Sequence, residues 1–279
     1  MRPIRPNRGD AGGGKGRKGD DTRTGPEGAS QHAPSRPVRR ALPSMQIMTT
    51  TLWEYPSQHY EGASGGMQGD KRYVGASPSW VIWQCLQRYT KPGETVLDPM
   101  VGSGTTIDVA MDLKRRGIGF DLAPSRPDIR QGDARKIDLP SASVDFVFVD
   151  PPYSTHVDYS DDPACIGKLD ALAQDGGRAY YDSMQRVIRE IARVLKPGRH
   201  MALYVSDSYS KPGANSKSTG FAPIGFELFA MMRESMQPVD IISVVRHNQK
   251  LQRGNWHKAA EEGNFFLRGF NYLFIMRKG

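Results

Sequence analysis

The sequence predicts an α/β fold of the Rossmann-like type, a mainly parallel sheet with helices on both faces. Three observations carry this. Short apolar runs alternate with stretches of helical periodicity from Ser77 to the end of the chain. A Gly-rich turn, Gly102-Ser103-Gly104, follows the first of these runs. Acidic residues then stand at the ends of successive runs, at Asp98, Asp121, Asp133 and Asp150.

Each element has a local reason. Ser77-Pro78 is expected to open a helix, since Ser caps and Pro suits a first helical turn. Trp80, Ile82, Trp83 and Leu86 give that helix an apolar surface, and Lys91-Pro92-Gly93 ends it. Thr95-Val96-Leu97 reads as the first strand, followed by the Gly-rich turn and a helix over 105–114. Ile118-Gly119-Phe120 and Ile129-Arg130 read as strands two and three. Val144 to Val149 is a fourth, apolar enough to be covered on both faces. Met184, Val187, Ile188, Ile191 and Leu195 recur at helical spacing, with Lys196-Pro197-Gly198 as the expected stop. Met201 to Val205, Ile241 to Val245 and Tyr272 to Met276 complete seven strands.

Composition narrows the class. The 279 residues are 38% hydrophobic and 24% charged, which suits a globular chain with a real core. No apolar run approaches the ~18 residues of a membrane span. The basic start is not followed by an apolar stretch, so no secretory signal is expected. The two cysteines, Cys85 and Cys165, match no metal or redox spacing and are expected to be reduced thiols in the cytoplasm. His247 and His257 are too sparse to argue for a metal.

The net charge of +8 is concentrated at one end. Residues 1–40 hold 10 Lys+Arg against 4 Asp+Glu, with 8 Gly, 5 Pro and no aromatic residue. Such a segment buries too little apolar surface to offset its chain entropy, so disorder is expected over 1–44 and a folded domain over 45–279. The tail reads either as a basic arm for phosphates or as an extension without a role.

The Gly-rich turn, Asp98-Pro99-Met100-Val101-Gly102-Ser103-Gly104-Thr105, lets a ligand approach the backbone at the start of a helix. A P-loop needs Lys where Thr105 stands, and a dinucleotide fingerprint needs Gly where Ile107 stands. A nucleoside without phosphates remains, bound by acidic residues. Asp121 ends the second strand, where a carboxylate accepts from both ribose hydroxyls. Asp133, in Gln131-Gly132-Asp133-Ala134, is placed to accept from an adenine amine. Asp98 stands where a cationic amino group would lie.

The fourth strand ends in Asp150-Pro151-Pro152-Tyr153. With the Gly-rich turn, Asp121 and Asp133, this resembles the S-adenosylmethionine-dependent amino-methyltransferases that methylate exocyclic amines of adenine or cytosine. The resemblance covers Ser77 to Lys278. It implies a class I methyltransferase fold with a seven-stranded sheet and S-adenosylmethionine as cofactor. It implies cofactor contacts from Ser77, Asp98, Pro99, Met100, Gly102, Gly104, Thr105, Asp121, Asp133 and Ala134, and catalysis by Asp150, Pro151, Pro152 and Tyr153. The chemistry suits these residue types. An aromatic amine is a poor nucleophile because its lone pair is delocalised. The Asp150 side chain and the Pro151 carbonyl offer two acceptors for its N–H groups, the prolines stiffen the loop, and Tyr153 offers a stacking face.

The resemblance implies a nucleic-acid substrate, DNA favoured and RNA possible, with adenine N6 favoured over cytosine N4 by the leading Asp. A base inside a duplex must be flipped out to reach such a pocket. The segments 154–178, 206–221 and 248–269 are expected on the cofactor face. The first carries Tyr159. The second is rich in Ser, Gly and Lys and reads as a lid. The third carries Arg246 and His247 at its approach, then Lys250, Arg253, Trp256, His257 and Lys258, suited to phosphate contact and stacking. No stretch is long enough for a large target-recognition domain, so specificity is expected from short loops, a homodimer or a separate partner. The rival classes are an RNA base methyltransferase on the same fold and a catalytically idle binding subunit.

Overall fold

Buried on both faces, the strand β5 (Val144–Val149) anchors the molecule: all six of its residues are shielded from water. The computed structural model describes residues 42–279, apart from 63–65, 71, 74, 156, 158, 211–219 and 248–253. The expected disordered tail therefore lies outside the described residues except at 42–44. There Leu42 already packs on the core and the Pro43 carbonyl accepts the Tyr55 hydroxyl at 2.9 Å.

The elements in order are β1 (Leu52–Trp53), α1 (Ser79–Tyr89), β2 (Thr95–Asp98), α2 (Thr105–Asp112), β3 (Arg116–Asp121), β4 (Arg130–Gln131), β5, α3 (Arg178–Val194), β6 (Leu195–Val205), β7 (Ser208–Ser210), β8 (Gly220–Ala222), α4 (Ile224–Arg233), β9 (Met236–Val245), α5 (Gly254–Glu262) and β10 (Phe270–Lys278), with a short 3-10 turn at Ile166–Lys168. The main sheet runs β1-β9-β10-β6-β5-β2-β3-β4. Only β10 is antiparallel to its neighbours. All seven expected strands are present, and β1 adds an eighth at the edge. β7 and β8 form a separate antiparallel pair.

Strand alternation sorts the core into two layers. Val96, Phe146, Phe148, Ala202, Tyr204, Leu273 and Ile275 face α1 and α2. Leu97, Val147, Val149, Met201, Leu203, Val205 and Phe274 face α3 and α4. Each buried Phe, Leu or Ile is worth about 1.5–3 kcal/mol. Layers of such side chains on both faces hold the strand ends, where the loops begin, at fixed positions.

Two boundaries differ from expectation. α1 starts at Ser79 rather than at Ser77-Pro78, because the Ser77 hydroxyl donates to Asp150 instead of capping the helix. α3 ends at Val194, and Lys196-Pro197-Gly198 lies inside β6. Pairing moves there from Val144 opposite Leu195 to Phe146 opposite His200, so the tripeptide forms a bulge with Gly198 at φ 75°. β1, β7, β8, α4 and α5 had no clear periodic signature. Among the described residues no helix is long and apolar enough to cross a membrane.

Candidate active site

Sheet order decides where the acidic residues meet. β5, β2, β3 and β4 are consecutive parallel neighbours, so Asp150, Asp98 and Asp121 end adjacent strands and Asp133 follows the next. The chain order reverses between β2 and β5, the switch point where open α/β sheets bind ligands.

The Gly-rich turn is built around Asp98, which is 2% exposed. Its carboxylate accepts the Met100 N–H at 3.0 Å and the Thr106 hydroxyl at 2.6 Å. Asp98 is thus spent on shaping the turn and does not line the cavity beside it. Gly102 has φ 50°, and a Cβ there would lie 2.7 Å from the Tyr73 hydroxyl oxygen. Gly104, at φ 82°, precedes α2 and lies under Arg126, which bridges Asp108 and Asp128. Thr105 is buried and shares a hydrogen bond with Ser103. Positive φ favours glycine at both positions, and at Gly102 the Tyr73 ring adds crowding. Asp121 turns its carboxylate to the turn as well, accepting from the Gly102 N–H at 3.1 Å and the Ala123 N–H at 2.9 Å.

A first cavity is lined by Ser77, Pro99, Met100, Gly102, Asp121, Asp133, Ala134, Asp150 and Pro152 among the sequence-predicted residues. Asp98, Gly104, Thr105, Pro151 and Tyr153 lie outside that lining. Sequence reasoning missed Tyr73, Gly75, Ala76, Leu122 and Cys165 as wall residues. Tyr73 stacks against Tyr159, ring centroids 6.4 Å apart. Nothing in the local sequence marks Tyr73. Its neighbours Asp70 and Gly69 are tied to the turn and to α2, the Asp70 N–H donating to the Ser103 carbonyl and the Gly69 N–H to Asp108. Asp133 is held by Arg135, whose guanidinium and main-chain N–H both donate to it.

A second cavity adjoins the first across Gly75, Ala76 and Asp150, which line both. Its other walls include Trp80, Tyr153, Tyr204, Arg246, His247 and Asn271. The Asp150 carboxylate accepts the Ser77 hydroxyl at 2.7 Å and the Tyr153 hydroxyl at 2.5 Å. Prolines 151 and 152 have no N–H to extend the ladder, so β5 stops there. Ser154 turns the chain away at φ 61°, fixed by its hydroxyl between Asp170 and the Ala171 N–H. Tyr180 of α3, wholly buried, donates to the Pro152 carbonyl at 2.8 Å. Tyr180→Phe leaves that carbonyl without its donor. We expect a loss of about 1 kcal/mol, read as a fall in Tm of about 2–4 °C.

Of the loops expected around the site, 211–219 and 248–253, with Lys250 and Arg253, lie outside the described residues. Trp256, His257 and Lys258 stand on α5, which buries none of its residues.

Among the described residues that line the first cavity there is no Lys or Arg. Burial pushes the Asp98 carboxyl up to about 7, against the pull of Thr106 and the Met100 N–H, and the charges of Asp150 and Asp121 push the same way. Burial also pushes Asp150 up to about 7, opposed by its hydrogen bonds from Tyr153 and Ser77 and by the Arg246 charge. Mutually repelling carboxylates beside a glycine cradle suit a cationic nucleoside, with a diol or amine for Asp121 and Asp133. Among the described residues no group of His, Cys, Asp and Glu is placed to hold a metal ion.

Sheet order and switch-point cavity together define a Rossmann-like class I methyltransferase fold. A family model described as DNA methylase, N6_N4_Mtase, matches residues 29–131 and 144–279, and the chain belongs to that family. The family's methyl donor is S-adenosylmethionine, a cationic nucleoside of the kind the first cavity suits. The type II methyltransferase M.Cfr9I of Citrobacter freundii is 33% identical over 79 residues, 28% of this chain and 23% of that protein. The type II methyltransferase M.MjaI of Methanocaldococcus jannaschii is 34% identical over 55 residues, 20% of this chain and 18% of that protein. The aligned stretches thus span less than a quarter of either relative. TrmN from Thermus thermophilus, a solved structure, aligns with a TM-score of 0.48 at 16% identity, over 74% of this chain and 50% of that one.

Proposed function

We propose that this protein transfers a methyl group from S-adenosylmethionine to an exocyclic amine of a DNA base, adenine N6 in preference to cytosine N4. The observation that carries the reading is the position of Asp150, in the shared wall of the two cavities. One cavity suits the donor and the other a planar acceptor, with a carboxylate between them.

Bound in the first cavity, S-adenosylmethionine supplies a methyl group on a sulfonium as the electrophile. Asp121 takes the ribose hydroxyls and Asp133, with Ala134 beside it, the adenine. Gly102, Pro99, Met100 and Ser77 bound the methionine end. Asp98, Gly104 and Thr105 act indirectly, by fixing the turn. In the second cavity Asp150 accepts one N–H of the target amine, which draws the nitrogen toward a pyramidal geometry and frees its lone pair. The second N–H needs another acceptor, the Pro151 carbonyl or a polar side chain of the same wall. Tyr153 holds Asp150 in place through its hydroxyl and offers its ring to the base. The Asp of the motif, rather than Ser, favours adenine by resemblance.

The reading includes a cytoplasmic setting, in which the buried thiols of Cys85 and Cys165 stay reduced. It also includes target choice through short loops, a homodimer or a separate partner. The test is incubation of the purified chain with methyl-labelled S-adenosylmethionine and, separately, unmethylated genomic DNA and total RNA. Nucleosides from each are then identified by mass spectrometry. N6-methyladenine from DNA is the expected product. N4-methylcytosine would correct the base, label confined to RNA would correct the polymer, and no label in either, with S-adenosylmethionine still bound, would point to a required partner or a non-nucleic-acid substrate.

A further inference from the structure

Arg246 is the only Lys or Arg among the described residues that line either cavity. It is the first residue past β9, and its main-chain N–H donates to the Gly269 carbonyl at 2.9 Å. β9 runs parallel to β5, with β10 and β6 between them. Arg246 and Asp150 therefore leave the sheet at the same edge, and both line the second cavity. Among the described residues Arg246 enters no ion pair. Its guanidinium makes one long hydrogen bond there, Nη1 to the Ser206 hydroxyl at 3.4 Å. The next residue, His247, is by contrast paired with Glu54 at 3.3 Å.

Asp150 has the complementary lack. Its side-chain donors, the Ser77 and Tyr153 hydroxyls, are both neutral. A buried carboxylate held by neutral donors alone is costly to ionise. Burial pushes Asp150 up to about 7, and Arg246 is the cation that pulls against it. The same charge reaches the Tyr153 and Tyr204 hydroxyls of that cavity wall. The other titratable groups around Asp150 bring no positive charge. Burial pushes the Tyr73 and Tyr159 hydroxyls up and keeps them neutral, and the Asp98 carboxyl of β2 is repelled by Asp150.

We propose that Arg246 is a positioning residue of the reaction, its guanidinium serving as the counter-charge that holds Asp150 as a carboxylate for the target amine. Protonated, the same group would offer a donor where the amine needs an acceptor. The attraction acts across the cavity rather than through a direct ion pair. It strengthens when a base enters and displaces water, because the local dielectric falls. The inference rests on the base-amine reading and deepens it.

Arg246→Met tests it, since Met keeps the apolar stem and removes the charge. Arg246→Gln is a second charge-free variant. At saturating S-adenosylmethionine, kcat/KM for genomic DNA falls on the acid side as Asp150 takes up a proton. That limb is expected to move up by about half a pH unit or more in both variants. Arg246→Lys restores the charge and is expected to return most of the shift. A second readout needs no turnover. Stability that Asp150 contributes while protonated is lost as pH rises through its native value. Without Arg246 that value lies higher, so the fall in Tm from pH 5 to 8 is steeper than in the wild type. In an Asp150→Asn background the Arg246 substitution should leave the pH dependence of Tm unaltered. An unmoved acid limb, or coincident Tm profiles for wild type and Arg246→Met, overturns the proposal. So does a loss of kcat/KM that is equal at every pH and comes with a weaker salt dependence, since Arg246 is then a phosphate contact. If the wild-type chain labels neither DNA nor RNA, the base-amine reading loses its support. The Tm profiles then still decide whether Arg246 is the counter-charge of Asp150.

Discussion

Asp150→Asn should lower methyl transfer by about 10²–10³-fold, the loss typical of removing one group that acts on the reacting centre, and should raise the Tm of the ligand-free protein at pH 8. The amide keeps the shape of the carboxylate but offers a weaker, half-committed acceptor to the target amine. The opposite sign on stability follows from proton linkage. Asp150 and Asp98 are both pushed up to about 7, while an unfolded carboxylate titrates near 3.8. Between about pH 4 and 7 the native state therefore holds protons that the unfolded chain has released. Stability is greatest below that window and falls as pH rises through it. For Asp150 the penalty at pH 8 is at most about 4 kcal/mol, at 1.4 kcal/mol per tenfold. The Asn amide meets two hydroxyl donors with only one good acceptor, so we expect a recovered part of 1 kcal/mol or so, about 2–4 °C in Tm. Thermal unfolding from pH 5 to 8 measures this directly. A wild-type Tm that climbs over that range, or an Asp150→Asn protein less stable at pH 8, contradicts the charge assignment. Added S-adenosylmethionine should stabilise the wild type more strongly as pH rises, since its cation favours the ionised carboxylates that burial disfavours.

Asp121→Ala should weaken S-adenosylmethionine binding by about 100-fold. A charge-assisted hydrogen bond is worth about 1.5–3 kcal/mol, and each 1.4 kcal/mol is tenfold in Kd. The substitution also strips the Gly102 N–H of its 3.1 Å acceptor, which loosens the turn that forms the cradle. Asp133→Ala should cost less, because Arg135 already holds that carboxylate. Titration calorimetry on both variants gives the order. Equal losses at the two positions, or a Kd for Asp121→Ala within threefold of wild type, would refute the division of roles.

Much of this site was legible along the chain. Asp98, Asp121 and Asp150 each close an apolar run, and a parallel sheet puts such run ends on one edge whatever the loops do. Gly102 and Gly104 announced a close approach between a strand and a helix. Less legible were contacts made across large sequence distances. Tyr73 crowds Gly102 from a segment without periodicity, Asn271 reaches the site from the last strand, and Ser77 binds a carboxylate 73 positions on instead of capping its helix.

The sequence alone determined seven of the eight strands of the main sheet, the helices on both its faces and the identity of the acidic residues, because period-two burial and turn chemistry are local properties. Only the tertiary structure decided their division of labour. Asp98 is consumed by the turn it precedes, Asp121 serves both turn and cavity, and Asp150 stands between two cavities. That division depends on which donors reach each carboxylate, and the sheet order β5-β2-β3-β4 brings those donors together. Strand order is a global packing outcome that no local pattern encodes.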